Sequence, residues 1–183
     1  MNYKIRIENI VASGSLGIQV PLQKIVANIE GAEYEPEQFP GLVLRMKNPK
    51  SAALIFSSGK IVCTGTRTQK DLQKALKKLV SLVRKAGIKV PSKFQFRIEN
   101  IVSSTKLDAR VDLDKVAFEL ENSEYEPEQF PGLVLRMKNP NVAFLIFSSG
   151  KIVCTGARKT KDVKIAIEKL IKQLKSIKAI VKE

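Results

Sequence analysis

The sequence contains an internal duplication. When the chain is shifted against itself by 91 residues, positions 6–65 align with 97–156 without a gap, and 42 of the 60 positions are identical. The longest identical runs are EYEPEQFPGLVLRMKNP, at 33–49 and 124–140, and LIFSSGKIVCTG, at 54–65 and 145–156. A solenoid needs three or more short units, so two copies of about 90 residues predict two similarly folded halves related by a pseudo-dyad.

The duplication sets the expected domain boundaries. We expect repeat 1 at residues 6–87 and repeat 2 at residues 97–178, joined by a short linker at 88–96 that contains Pro91. Gly87 stands where the C-terminal cap of a helix would end the first repeat.

Within each repeat the pattern is mostly strand. In repeat 1, an alternating segment at 5–11 and short apolar runs at 42–47 and 52–56 predict strands, and 60–64 follows the Ser58–Gly59 turn signal as the second arm of a hairpin. Residues 21–30 predict a short helix that begins at a proline. Each half therefore reads β-α-β-β-β-α, with a further short strand near Tyr34 left open.

The segments after Gly65 and Gly156 diverge but both predict amphipathic helices that carry the positive charge of the chain. The net charge is +14, of which residues 66–93 hold +8 and residues 157–183 hold +6. Lysines between the apolar positions are most simply a solvated outer face, so basicity suggests a polyanionic partner without locating its site. The predicted buried stripes are Leu72, Ala75, Leu76, Leu79, Val80 and Val83, and Val163, Ala166, Ile167, Leu170, Ile171 and Leu174.

Composition argues against an enzyme. The chain has no histidine and two cysteines, Cys63 and Cys154, which removes histidine-based catalytic triads and leaves no ligand set for zinc. We therefore expect no catalytic residues, no cofactor and no metal. No apolar stretch is long enough to span a membrane and the first ten residues lack a signal sequence, so a cytoplasmic location is expected.

The hairpin at 52–64 is apolar on both faces. Leu54 and Val62 share one face, whereas Ile55 and Cys63 point to the other. The predicted helices can cover one face, and an uncovered apolar face is a partner site. An alternative is that the short helices cross over and cover the second face.

Two duplicated residue types stand out against this background. Asn9 and Asn100 lie in the strand motif IENIV although asparagine disfavours strands. A single copy would be read as a bulge or a backbone cap, but two copies suggest an amide held out to a ligand. Phe39 and Phe130 lie in the turn QFPG, and with Phe56 and Phe147 they could form two pairs of apolar wedges.

Cations stand at the margins of the same face, which would then have an apolar floor, a few amides and hydroxyls, and a basic rim. The DNA minor groove offers matching chemistry, with largely apolar sugar edges, acceptors on A·T pairs and phosphates along both walls. Because the guanine amino group would clash with a flat floor, a preference for A·T-rich DNA follows. The rim cations are Arg45, Lys47, Lys60, Arg136, Lys138 and Lys151.

The motifs IENIV, YEPEQFPGLVLRMKNP and FSSGKIVCTG, each present twice, resemble the TATA-box-binding proteins over essentially the whole chain. The chain has no long N-terminal extension, which is similar to the archaeal members. The resemblance implies an α+β fold, a pseudo-two-fold saddle of two β-α-β-β-β-β-α repeats with one curved antiparallel sheet and helices on its convex face. It also implies a minor-groove binder that bends DNA.

The resemblance also assigns roles by position. The minor-groove wedges would be Phe39, Phe56, Phe130 and Phe147. Base edges would be contacted by Asn9, Asn100, Val11, Val102, Leu54, Leu145, Val62, Val153, Thr64 and Thr155. Phosphates would be contacted by Arg45, Arg136, Lys60, Lys151, Ser58 and Ser149.

The implied partners are A·T-rich promoter DNA, transcription factor B and, indirectly, RNA polymerase, within the nucleoid of an archaeal cell. Transcription factor B would grip Glu126 and Glu128 in the loop of repeat 2. That loop is identical in both repeats, so orientation on DNA must come from elsewhere, and the candidates are the extra acids Asp108, Asp112, Asp114 and Glu119 and the local bendability of the promoter. Alternatives are a homo-oligomer that buries the same face, including a homodimer without DNA, and an accessory nucleic-acid-binding module of an enzyme complex.

Overall fold

The computed structural model describes residues 1–182, which form two compact units. The first unit is Asn9–Glu99, and the second unit combines Met1–Glu8 with the chain from Asn100 onward. The unit boundaries therefore fall inside the two IENIV strands, a few residues after the sequence repeats begin.

The first repeat has the predicted order of elements, including the short strand that the sequence left open. Strand β1 continues four residues beyond the predicted segment, and the short strand lies just before Tyr34. The elements are β1 (Ile5–Ser15), α1 (Leu22–Asn28), β2 (Ala32–Glu33), β3 (Leu42–Lys47), β4 (Lys50–Ile55), β5 (Lys60–Thr66) and α2 (Gln69–Lys85).

The second repeat has the same order with one addition. Two strands of two residues each, one before the short helix and one after the last helix, pair with each other through Val111 and Ile180. The elements are β6 (Phe96–Lys106), β7 (Arg110–Val111), α3 (Leu113–Glu119), β8 (Ser123–Glu124), β9 (Leu133–Met137), β10 (Val142–Ile146), β11 (Lys151–Ala157), α4 (Thr160–Ser176) and β12 (Ile180–Val181).

Each unit has an antiparallel sheet section with the same strand order. In the first unit the order is β2-β3-β4-β5-β1, and in the second it is β8-β9-β10-β11-β6. The hairpin register matches the predicted parity, because Leu54 pairs with Val62 and Ala53 with Cys63. Side chains that share a face therefore lie side by side across the strands.

The long helices cover one face of each section. Helix α2 packs on β5 and α4 on β11, and the buried positions of both helices are the two predicted stripes. Ile55, Ile61 and Cys63 face these helices and are fully buried. Alternation of buried and partly exposed residues along β3, β4 and β5 leaves the opposite face open. No helix within residues 1–182 is long and apolar enough to cross a membrane.

Candidate nucleic-acid interface

The open face of the first unit is apolar. Leu54 lies between Val43 and Val62 on the neighbouring strands, and all three side chains are partly exposed. Val11 on β1 is also partly exposed. The alternative in which α1 covers this face is wrong for this unit, because α1 buries Leu22 and Ile25 elsewhere and leaves these side chains accessible.

The open face of the second unit repeats this arrangement. Leu145 lies between Val134 and Val153, and Val102 is partly exposed on β6. Val43 and Val134 were not among the predicted contact residues. Their parity could have revealed them, since each alternates with the buried leucines of its strand.

Asn9 holds a bulge in β5. Opposite Val11 the register shifts between the Ile10–Thr66 and Ala12–Cys63 pairs, which leaves Thr64 and Gly65 bulged. The Asn9 Oδ1 accepts the Gly65 N–H at 2.7 Å, and Nδ2 donates to the Thr64 Oγ1 at 2.9 Å. Gly65 has φ 104°, a conformation that favours glycine.

Asn100 makes the same bonds in the second unit. Its Oδ1 accepts the Gly156 N–H at 2.6 Å and its Nδ2 donates to the Thr155 Oγ1 at 2.9 Å. Both asparagines are therefore the bulge caps that a single copy would have suggested. Both remain partly exposed, and each Nδ2 keeps a second N–H for a ligand. A contact with base edges stays a prediction.

The phenylalanines are brought together in pairs, as expected for wedges. Phe39 meets Phe56 edge to face with ring centroids 5.9 Å apart, and Phe130 meets Phe147 at the same distance. The turn residues Phe39 and Phe130 are 42% and 45% exposed, so neither folds back into the core.

A glycine lies beneath each pair of rings. A Cβ at Gly41 would come within 2.8 Å of the Phe39 Cε1 and 3.0 Å of the Phe56 Cε1, and Gly132 has the same distances to Phe130 and Phe147. Any side chain there would displace a ring, so the QFPG turn needs its glycine to seat the pair.

The predicted phosphate contacts lie on exposed positions. Lys60 and Lys151 are exposed just after the hairpin turns, where the Oγ of Ser58 and Ser149 accept their backbone N–H groups. Arg45 is exposed on β3 and pairs with Glu33 at 3.3 Å. Because both partners are about two-thirds exposed, this ion pair is weak and Arg45 can exchange it for a phosphate.

The remaining candidates fall outside this face. Burial raises the pKa of the Cys63 and Cys154 thiols to about 11, and at Cys154 the Ser103 hydroxyl offsets part of the effect. Both thiols are buried on the side of their strands that packs against the long helices. Glu126 and Glu128 are exposed in the loop between β8 and β9. The described residues contain no group of three or more His, Cys, Asp or Glu side chains placed to hold a metal ion.

The family model described as "Transcription factor TFIID (or TATA-binding protein, TBP)" matches residues 4–86 and again residues 95–177. The chain belongs to this family. It is therefore a member of a family of DNA-binding transcription factors, not of a family of enzymes, as the composition predicted.

Relatives and a solved structure agree with the family match. A TATA-box-binding protein of Pyrobaculum islandicum is 51% identical over 94% of this chain and 86% of the relative. One from Methanobrevibacter smithii is 49% identical over 96% and 97% of the two chains. The structure of Methanococcus jannaschii TBP matches with a TM-score of 0.87 at 44% identity, covering 94% of this chain and 99% of that one. The predicted fold class is thereby confirmed.

Proposed function

We propose that this TBP-family chain is a general transcription factor that binds A·T-rich promoter DNA through the minor groove and bends it. The observation that carries the proposal is the apolar face that each unit leaves open on the side away from its long helix, with a pair of phenylalanines at the QFPG turn. Burying such a face against the apolar walls of the groove is favourable. That gain would offset the few kcal/mol needed to unstack each wedged base step.

The asparagines supply a reason for A·T preference. Because Oδ1 of Asn9 is held by the Gly65 N–H, the amide orientation is fixed and the free group on Nδ2 is a donor. Adenine N3 and thymine O2 are acceptors, whereas a G·C pair adds the guanine amino donor. A fixed donor beside a flat apolar floor therefore favours A·T pairs.

The family resemblance also implies partners. We infer that transcription factor B binds the DNA-bound protein at the loop carrying Glu126 and Glu128 and brings in RNA polymerase indirectly, which nucleates the pre-initiation complex in the nucleoid of an archaeal cell. Without DNA, a homodimer could bury the open faces of two copies. DNA and the second copy would then compete for the same residues.

The DNA proposal is tested with three duplexes that share one sequence frame. The central block is A·T, G·C or inosine·C, since inosine lacks the guanine 2-amino group while keeping its major-groove edge. We expect gel-shift affinity for the A·T and inosine duplexes to be similar and at least about tenfold higher than for G·C, which corresponds to about 1.4 kcal/mol. Fluorescence transfer between the duplex ends should report bending with the first two only.

Two results would contradict the proposal. Equal affinity for all three duplexes would show that the protein binds the phosphates without reading the base pairs. Binding of the A·T duplex without a change in end-to-end transfer would exclude bending by wedge insertion.

A further inference from the structure

The loop that carries Glu126 and Glu128 does not by itself explain why a partner would bind the second unit and not the first. Residues 124–130 of the second unit repeat residues 33–39 of the first without a change, and both loops are exposed. A partner that reads only Glu126 and Glu128 would find the same acids at Glu35 and Glu37. Selection of one loop then requires a feature that is present in one unit alone, or a difference along the DNA.

Phe118 is such a feature. It lies on α3 of the second unit and is 88% exposed, about twice the exposure of Phe39 or Phe130. The matching position on α1 of the first unit is Ala27. An aromatic side chain this exposed contributes almost no burial to the fold, and large aromatic residues in this state are typical anchors of protein interfaces.

The surroundings of Phe118 carry negative charge that the first unit lacks. Asp114 is four residues before Phe118 on α3, so the two side chains are neighbours on the helix surface. The first unit has Gln23 in place of Asp114. Glu119 adds another exposed carboxylate where the first unit has Asn28. Phe118 thus has near it two carboxylates that the first unit lacks, Asp114 and Glu119, together with Lys115, whose counterpart in the first unit is Lys24.

This surface is joined to the partner loop by a short, fixed path. The Ser123 Oγ donates to the Leu120 carbonyl at 2.5 Å, which ties the end of α3 to the start of β8. β8 then leads directly into the loop that carries Glu126 and Glu128. A partner that grips the loop has Phe118 within the same unit for a second contact.

We propose that Phe118, flanked by Asp114 and Glu119, is a docking contact for transcription factor B and selects the second unit over the first. This inference rests on the proposed function. The two added carboxylates favour a basic partner surface, and the exposed ring favours an apolar pocket within that surface. The loop supplies contacts that both units offer, and Phe118 supplies the contact that only one unit offers.

The test measures binding of transcription factor B from the source organism to the complex of the full chain with the A·T duplex. Phe118→Ala should weaken this binding about tenfold or more, as expected for a buried aromatic anchor. Phe118→Leu, which keeps an apolar group, should lose less than Phe118→Ala. Val181→Ala removes another exposed apolar side chain of the same unit and should leave binding unchanged.

Binding of the DNA alone separates this inference from the proposed function. All three variants should bind the A·T duplex like the wild type, because Phe118 and Val181 lie outside the open sheet face. The two Phe118 variants should also melt at the wild-type temperature, because the ring is 88% exposed. A ternary complex with Phe118→Ala within twofold of the wild type would overturn the inference while leaving the DNA proposal intact. Failure of the wild-type complex to bind transcription factor B would also overturn it.

Discussion

The two units are most alike in the side chains of their open sheet faces and differ most on the side that carries the helices. The asparagine caps agree within 0.1 Å, the phenylalanine pairs share one ring separation, and the glycines beneath them have the same clearances. On the other side, the second unit adds the β7–β12 ribbon and replaces Ala27 with Phe118. Because the open faces agree in this detail, we expect both copies of that face to serve one task.

The N-terminal caps of the helices also differ between the two units. Asp112 caps α3 by accepting the Lys115 N–H at 3.1 Å, whereas Pro21 gives α1 no side-chain cap. Thr68 caps α2 by accepting the Asp71 N–H at 3.0 Å, whereas Lys159 gives α4 none. Each unit therefore stabilises a different helix by the same device.

The largest expected effect comes from removing one pair of wedges. Phe39→Ala with Phe56→Ala should weaken binding to the A·T duplex about 100-fold, or about 3 kcal/mol, and should remove the kink at one end of the site. The matched change of Phe130 and Phe147 should remove the kink at the other end to a similar extent. Gel shift and fluorescence transfer report the two quantities.

If only one of the two double variants lost affinity and bending, the two open faces would not be functionally equivalent. Thermal melting provides the control, since truncating a partly exposed pair should leave a folded protein. An unchanged bend angle in both double variants would show that the phenylalanine pairs do not cause the bending.

A smaller effect is expected at the bulge caps. Asn9→Ala leaves the Gly65 N–H without its acceptor and should lower the free energy of unfolding by about 1 kcal/mol, and Asn100→Ala should do the same at Gly156. Urea unfolding followed by circular dichroism measures this loss.

Asn9→Asp separates stability from binding at the same position. The carboxylate still accepts the Gly65 N–H, so stability should change less than in Asn9→Ala. DNA affinity should fall further, because the side chain loses its donor and brings a negative charge to the groove. Equal DNA affinity in both variants would argue against a base contact by this side chain.

An effect of similar size and opposite sign is expected at Thr66, whose counterpart in the second unit is Ala157. Thr66 is buried and its Oγ1 has no hydrogen-bond partner among the described residues. Thr66→Val keeps the volume and removes the buried hydroxyl, so it should raise the free energy of unfolding by about 1 kcal/mol. Ala157→Thr should lower it. A loss of stability in Thr66→Val would show that the hydroxyl is satisfied in solution.

The sequence predicted the fold well where the physical signal was local. The buried stripes of α2 and α4 follow from helical spacing, and the two faces of the hairpin follow from strand parity. β1 runs on to Ser15 because Ser13 and Gly14 pair with Val62 and Ile61, a tertiary constraint that overrides their weak strand preference.

Other features lay beyond a reading of the sequence. The β7–β12 ribbon joins two-residue strands about 70 residues apart, which are too short to show a pattern. The bulge at Gly65 depends on a register shift between β1 and β5, so only the structure reveals why Asn9 stands in a strand. The phenylalanine pairing was predicted, but the glycine that seats each pair was not.

Burial of the two sulfur atoms has a practical consequence. With a pKa of about 11, Cys63 and Cys154 are almost entirely thiols near pH 7, with a thiolate fraction on the order of 1 in 10,000, and neither is exposed to a reagent. A cysteine introduced on the surface can then be labelled selectively with a maleimide dye while the two native residues stay in place. Single-molecule fluorescence measurements therefore do not require Cys63 and Cys154 to be replaced.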